Sequence, residues 1–228
     1  MCDRTAGRMA GTVRHVVQRR TDGSPCFFTD EDCLVYLDCL KDAAERHKCA
    51  VHAYVLMPDH VQLLVSPGTE QRLSRIMRCV SGRYVEYVNY IYQRNGAFWE
   101  HGPKFTMIDS EQDVLATYLS IEATPVRECL AASPADYRWS SHGHHANGSD
   151  DAIILDHPLY LNLGTTRRER QDAYQALFRQ RVGDRAPVET KPSAHLDSTL
   201  RGDRPANRIE RLAERVRPGT IEHAFAAA

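Results

Sequence analysis

The sequence lacks several features that mark specialised classes of protein. No apolar run approaches the roughly 18 residues that a membrane-spanning helix needs, which argues against a helical membrane protein. The seven cysteines are scattered and include no C-x-x-C pair, so neither a disulfide framework nor a zinc knuckle is predicted. The formal net charge is only −1, whereas dedicated nucleic-acid binders usually show a basic excess.

These absences favour a globular protein of a reducing compartment. An odd number of scattered cysteines is typical of the cytoplasm. Residues 1–20 contain five arginines and no apolar segment of the kind found in a secretory signal. With 228 residues, 42% of them hydrophobic, the chain is long enough to bury a sizeable core. We therefore expect a cytoplasmic protein with no membrane partner.

The order of predicted elements indicates the fold class. Short β-branched or apolar runs predict strands, apolar residues at helical spacing predict helices, and Thr29 and Ser110 are predicted to begin two of the helices. The resulting order, β-α-β-β-α-β plus a helix, predicts an α+β, ferredoxin-like fold with an antiparallel sheet and helices on one face. Strands are predicted at 12–18, 50–56, 61–65 and 104–108, and helices at 29–47, 70–94 and from Ser110 to before Pro125.

Three regions are predicted along the chain. Residues 1–146 form the main domain, and residues 147–182 form a C-terminal helical extension. Residues 183–228, rich in Pro, Gly, Asp and Ser, are expected to be a largely mobile tail with a possible short helix.

A local basic patch offsets the near-neutral overall charge. Residues 1–159 are acidic overall and residues 160–228 are basic overall. The predicted helix 70–94 nevertheless places four arginines opposite its apolar face, which would suit contact with a nucleic-acid backbone. The alternative is an ordinary solvated helix face. The four arginines are Arg72, Arg75, Arg78 and Arg83.

Two groups of polar residues invite a metal interpretation. His60 and Gln62 lie two apart on a predicted strand, so their side chains share one face. The run 142–145, with three histidines, lies in a segment rich in Gly, Ser and Asn without an acidic or cysteine partner at ligand spacing. For that run a solvated loop is the favoured interpretation.

Five blocks of sequence resemble one known family, the REP-associated tyrosine transposases, which are single-tyrosine HUH transposases of insertion sequences. The resemblance spans roughly residues 12–178 and implies an HUH-endonuclease scaffold acting on single-stranded or hairpin DNA. In that family two histidines on a strand hold a divalent metal, and a helical tyrosine attacks a DNA phosphate. The blocks are RHVVQRRTDGSPCFFTDEDCLVYLDCL, HAYVLMPDHVQLLVSP, LSRIMRCVSGRYVEYVNYIYQRNGAFWE, SIEATPVRECLAASPADYRWSS and HPLYLNLG.

Carried onto this sequence, the family pattern is altered at most of its chemical positions. The first histidine is His60, but Gln62 stands at the second. Aligned on Pro125-Val126-Arg127, the helper asparagine is Thr124 and the tyrosine nucleophile is Ser120. The resemblance therefore implies a site that binds Mg²⁺ or Mn²⁺ weakly, through His60, Gln62 and Thr124.

The predicted function is recognition of single-stranded or hairpin DNA, with nicking and strand transfer impaired or lost. Relatives occur as monomers and dimers, so either state is expected. Tyr118 could substitute for the missing nucleophile, although helical spacing places it on the core side, about 160° from Ser120. Two alternatives stay open: a working transposase or single-strand endonuclease, and an interaction protein that does not bind DNA. The working enzyme would use Tyr118 or one of Tyr84, Tyr87, Tyr90 and Tyr92.

Overall fold

The structure is a computed structural model that describes residues 12–21, 23–100 and 102–182. The predicted mobile tail, 183–228, and its possible short helix lie outside the described residues. Within the part described, no helix is long and apolar enough to cross a membrane.

Strands and helices follow one another in the predicted order. They are β1 (Val13–Arg19), α1 (Asp30–Arg46), β2 (Cys49–Leu56), β3 (His60–Pro67), α2 (Glu70–Tyr92), β4 (Lys104–Ile108), α3 (Glu111–Glu122), α4 (Thr124–Arg127), α5 (His142–Asn147), α6 (Pro158–Leu161) and α7 (Arg167–Val182). A short 3₁₀ turn, Pro134–Asp136, lies between α4 and α5.

The four strands form one sheet in the order β2-β3-β1-β4, with every neighbouring pair antiparallel. This is the α+β, ferredoxin-like arrangement that the sequence predicted. The expectation that the helices lie on one face holds only for α1 and α2. Helices α3, α5, α6 and α7 contribute to a second apolar cluster on the opposite face. Every residue of β2 and β3 is buried, because both faces of these central strands are covered.

The first face is organised around Asp32 at the start of α1. The Asp32 carboxylate accepts from the backbone amides of Phe28 and Thr29, which is one half of a capping box. It also accepts hydrogen bonds from the hydroxyls of Tyr87 and Tyr92. The carboxylate is fully buried and ties α1 to α2 because its lone pairs are shared between both helices.

The second face contains the largest departure from the sequence-based expectation. The histidine run was expected in a solvated loop, but it forms α5, and His142 and His145 are buried against α3 and α7. Their nitrogens face the buried carboxylate of Glu122. A partner twenty or more residues away in sequence satisfies these polar rings, so the local Gly/Ser/Asn composition misled the prediction.

Candidate functional site

His60 and Gln62 lie on the face of β3 that is covered by α3. Leu64, the next residue on that face, belongs to the second apolar cluster, whereas Val61 and Leu63 belong to the first. His60 is 1% exposed and Gln62 is 9% exposed. The alternation of a strand therefore places both polar side chains where the family's metal site is expected.

Asp59 orients His60. The His60 Nδ1 lies 2.6 Å from a carboxylate oxygen of Asp59, and its Nε2 lies 3.0 Å from the amide nitrogen of Gln62. An Nδ1–H that donates to Asp59 leaves an Nε2 lone pair that accepts from the Gln62 amide. Arg19 also donates to Asp59, at 3.2 Å, and holds the carboxylate in place.

His15 is a fourth member of this group, and the sequence analysis did not identify it. It lies on β1, and its Nε2 is 3.0 Å from the amide oxygen of Gln62. Burial lowers the pKa of His15, although the Gln62 hydrogen bond opposes this shift and nearby His60 adds to it. Strand alternation places His15 on the same face as Val13, so the sequence indicated which face His15 occupies. Its contact with Gln62 depends on the pairing of β1 with β3.

The His60, Gln62 and Thr124 set does not fit a metal ion in this arrangement. The Gln62 amide nitrogen donates to the His60 Nε2 and also to the Thr124 hydroxyl, at 3.2 Å. Arg127 donates to the same hydroxyl at 2.8 Å, and that hydroxyl donates to the backbone oxygen of Ser120. The lone pairs that a metal would need from His60 and Thr124 are therefore already engaged by hydrogen-bond donors.

One other combination at this place could hold a metal. Asp59, His60 and Glu128 bring one ligand atom each to within 4.8 Å of one another. Glu128 is exposed and Asp59 is half-buried, so such a site would be open to solvent. Oxygen and nitrogen ligands suit Mg²⁺, Mn²⁺ or Zn²⁺, but both ring nitrogens of His60 already take part in hydrogen bonds, so we assign no ion to this group.

Ser120 lies at the exposed end of this network, on the last turn of α3. Arg127 donates to its backbone oxygen at 2.8 Å and approaches its hydroxyl at 3.3 Å. Thr124 lies one turn further along and is buried. The structure thus places Ser120 and Thr124 on one side of the same helical segment. A serine hydroxyl lies several ångströms closer to its backbone than a tyrosine hydroxyl would.

Most of the tyrosines that could replace the nucleophile are buried in the two apolar clusters. Tyr118 is fully buried in the second cluster, where its ring packs edge-on against His145 at 5.0 Å, and burial raises its pKa well above the usual value. Tyr84 and Tyr87 are buried in the first cluster, on the other face of the sheet. Tyr92 also belongs to that side and bonds Asp32, and Tyr90, 41% exposed, lies on the same helix α2.

The predicted arginine patch is divided by the structure. Arg72, Arg75 and Arg78 are exposed along the first half of α2. Arg83 is not part of this exposed row: its guanidinium donates to Asp42 of α1 at 3.0 Å, and its side chain is 13% exposed. The prediction treated the four as one stripe because it considered α2 alone, without the neighbouring helix.

A buried carboxylate, Glu122, lies at the end of α3. Glu122 is fully buried and accepts from Ser141, His142, His145 and Tyr174, at 2.5, 3.2, 2.7 and 2.7 Å. Burial would raise its pKa, but the neighbouring His145 and His142 hold the pKa well below its usual range. Glu122 therefore joins α3, α5 and α7 through one charged group.

Comparison with known proteins agrees with this fold. The family described as "Transposase IS200 like" matches residues 13–121. No match was found among curated proteins. One solved structure, described as a REP-associated tyrosine transposase bound to a REP hairpin, has a TM-score of 0.53 and 12% identity, and covers 69% of this chain and 93% of that chain. At this identity the likeness shows a shared fold. Residues 13–121 thus match the IS200-like transposase family, and the chain shares the fold of a REP-associated tyrosine transposase, in agreement with the resemblance of its sequence blocks.

Proposed function

We propose that this chain recognises single-stranded or hairpin DNA, and that its capacity to nick and transfer strands is impaired or lost. The match of residues 13–121 to a transposase family supports a DNA partner. The solved relative with the same fold is bound to a REP hairpin, which makes structured DNA the ligand of choice for testing.

The exposed row of Arg72, Arg75 and Arg78 carries the DNA-binding part of this proposal. Residues three apart on a helix are separated by about 4.5 Å along its axis, so the three guanidinium groups line one edge of α2. Arginine forms bidentate bonds to phosphate and keeps its charge at all physiological pH values. An edge of this kind suits backbone contacts, which supply affinity rather than sequence recognition.

The hydrogen-bond network around Gln62 supports the second part of the proposal, which is impaired nicking and strand transfer. Nucleophilic attack on a phosphate needs a nucleophile within reach and a group to polarise the phosphate. Ser120 is short, its backbone oxygen is bonded to Arg127 and Thr124, and its hydroxyl has no imidazole partner among the described hydrogen bonds. A misplacement of about 1 Å can cost about a hundredfold in rate, so we expect little or no covalent product.

The test measures binding of fluorescent hairpin DNA by anisotropy at several salt concentrations. We expect Arg72→Glu with Arg75→Glu to weaken binding and to reduce the log-log salt slope by about 1.4 to 1.8, since each phosphate contact contributes roughly 0.7 to 0.9. A charge-matched control is Arg168→Glu with Arg179→Glu on α7, both exposed, which should leave the slope nearly unchanged.

Other outcomes discriminate the alternatives. An unchanged slope in the α2 variant would remove this row from the interface. Absence of any hairpin binding by the unmodified chain would favour an interaction protein with no DNA ligand. A covalent adduct on a denaturing gel with Mn²⁺, lost in Tyr118→Phe, would instead support a working transposase.

A further inference from the structure

A second cluster of ligands lies away from His60, at the histidines of α5. His144, His145 and Asp156 bring one ligand atom each to within 4.8 Å of one another. The Nε2 of His144 is 3.1 Å from a carboxylate oxygen of Asp156, and the Nε2 of His145 is 4.0 Å from the same oxygen. From these residues we infer a second metal site, specific for a transition metal such as Zn²⁺.

The missing hydrogen-bond partner of the His145 Nε2 is the observation that points to a ligand. Its side chain is fully buried, and its Nε2 has no hydrogen-bond partner among the described residues. A buried polar nitrogen without a partner is costly, and most such atoms in native proteins are satisfied. A metal ion between His145, His144 and Asp156 would satisfy this nitrogen.

The other nitrogen of His145 is held as in known metal sites. Its Nδ1 donates to Glu122 at 2.7 Å, which leaves the Nε2 lone pair free to bind a cation. A carboxylate that orients a ligating histidine through its second nitrogen is a recurrent feature of zinc centres. Glu122 is itself fixed by Ser141, His142 and Tyr174, so the ring of His145 has little freedom to turn away.

His144 and Asp156 complete the set from the more open side. The side chain of His144 is 15% exposed and that of Asp156 is 26% exposed, which provides an entry path for the ion. Ligation by His144 uses its Nε2, so the proton moves to Nδ1, and the long 3.4 Å contact from the Asp151 backbone amide is given up. Two imidazoles and one carboxylate suit Zn²⁺ better than Mg²⁺, with solvent at the remaining position.

This site is independent of the DNA-nicking chemistry. None of its ligands belongs to the network of His60 and Gln62. It instead joins α5 to the segment that precedes α6, next to the carboxylate that anchors α3. We therefore expect Zn²⁺ to stabilise this side of the fold, with or without DNA.

The test is calorimetric titration of the metal-free full-length chain with Zn²⁺, together with thermal unfolding. We expect one equivalent of Zn²⁺ to bind and to raise the melting temperature. Asp156→Asn and His144→Gln, both at partly exposed positions, should each weaken binding by at least about tenfold. His60→Ala serves as the control for the other candidate site and should retain the equivalent.

Four outcomes would overturn this inference. The first is the absence of stoichiometric Zn²⁺ binding by the unmodified chain. The second is Zn²⁺ binding that persists in both Asp156→Asn and His144→Gln, and the third is Zn²⁺ binding that disappears in His60→Ala. A Co²⁺ spectrum with a thiolate charge-transfer band would likewise assign the metal to cysteine and contradict the histidine site. The metal-free variants are compared by melting temperature first, so that a folding defect is not read as a lost ligand.

Discussion

Replacing His52 by Gln should remove a large part of the acid sensitivity of this protein. His52 lies at an irregularity of β2, where the register with β3 shifts between Val51 and Ala53. Its Nδ1 donates to the backbone oxygen of Leu155 at 2.7 Å, and its Nε2 is 2.8 Å from the Ser66 hydroxyl. The neutral ring is therefore fully hydrogen-bonded.

Protonation of this ring is unfavourable in the folded state. Burial lowers the pKa of His52 from 6.5 to about 4, with the Leu155 carbonyl opposing the shift and the neighbouring His157 adding to it. The unfolded chain binds the proton more readily, so His52 contributes stability above pH 6.5 that is lost as the pH falls toward 4. At about 1.4 kcal/mol per pKa unit, the full loss is roughly 3 kcal/mol, and about 2 kcal/mol is lost between pH 7 and pH 5.

The measurement is urea unfolding of the unmodified chain and of His52→Gln at pH 8, 7, 6 and 5. Glutamine keeps one donor and one acceptor but does not titrate in this range. The free energy of unfolding should fall by about 2 kcal/mol less in the variant between pH 7 and pH 5. His15 titrates in both proteins, so its effect cancels in the comparison. His157 and Asp156 interact with His52 and add a smaller difference. The same fall in both proteins would refute this reasoning, and so would a difference already changing between pH 8 and pH 7.

The remaining predictions concern the altered active site. Ser120→Tyr with Thr124→Asn should produce some covalent adduct with labelled hairpin DNA and Mn²⁺, even with Gln62 in place, whereas Gln62→His alone should produce none. If Gln62→His alone gives adduct, then the absence of a tyrosine at position 120 is not what limits the reaction. Without DNA, Mn²⁺ titrations of the unmodified chain and of His60→Ala should give the same heats, because the lone pairs of His60 and Thr124 already accept hydrogen bonds. Tight Mn²⁺ binding that is lost in His60→Ala would contradict the closed network.

Local patterns were sufficient to predict the four strands and the first three helices of this fold. Thr29 and Ser110 stand at the N-caps of α1 and α3 as expected, and the Ser110 side chain accepts from the Asp113 amide. Such caps are predictable because they need only the residues within one turn. The alternation along β3 predicted that His60 and Gln62 share a face, since strand geometry alone decides this. The division of α2 into an apolar face and an arginine face was also predictable from helical periodicity.

The partners of those side chains were not predictable in the same way. His15 meets Gln62 only because β1 pairs with β3 in one particular register. Arg83 leaves the exposed row only because Asp42 of α1 lies beside it. In both cases the two residues are more than forty positions apart, and no short-range pattern connects them.

The histidines of α5 show this difference most clearly. By itself, the sequence determined the order of the four strands and the first three helices, the polar face of β3 and the family resemblance, because each depends on neighbouring residues or on ordered blocks. Only the tertiary structure brought Glu122 beneath His145 and Asp156 beside His144. Burial and hydrogen bonding act through space, so the packing of α3, α5 and α7 decided that a predicted solvated run is instead a buried cluster with an unsatisfied nitrogen.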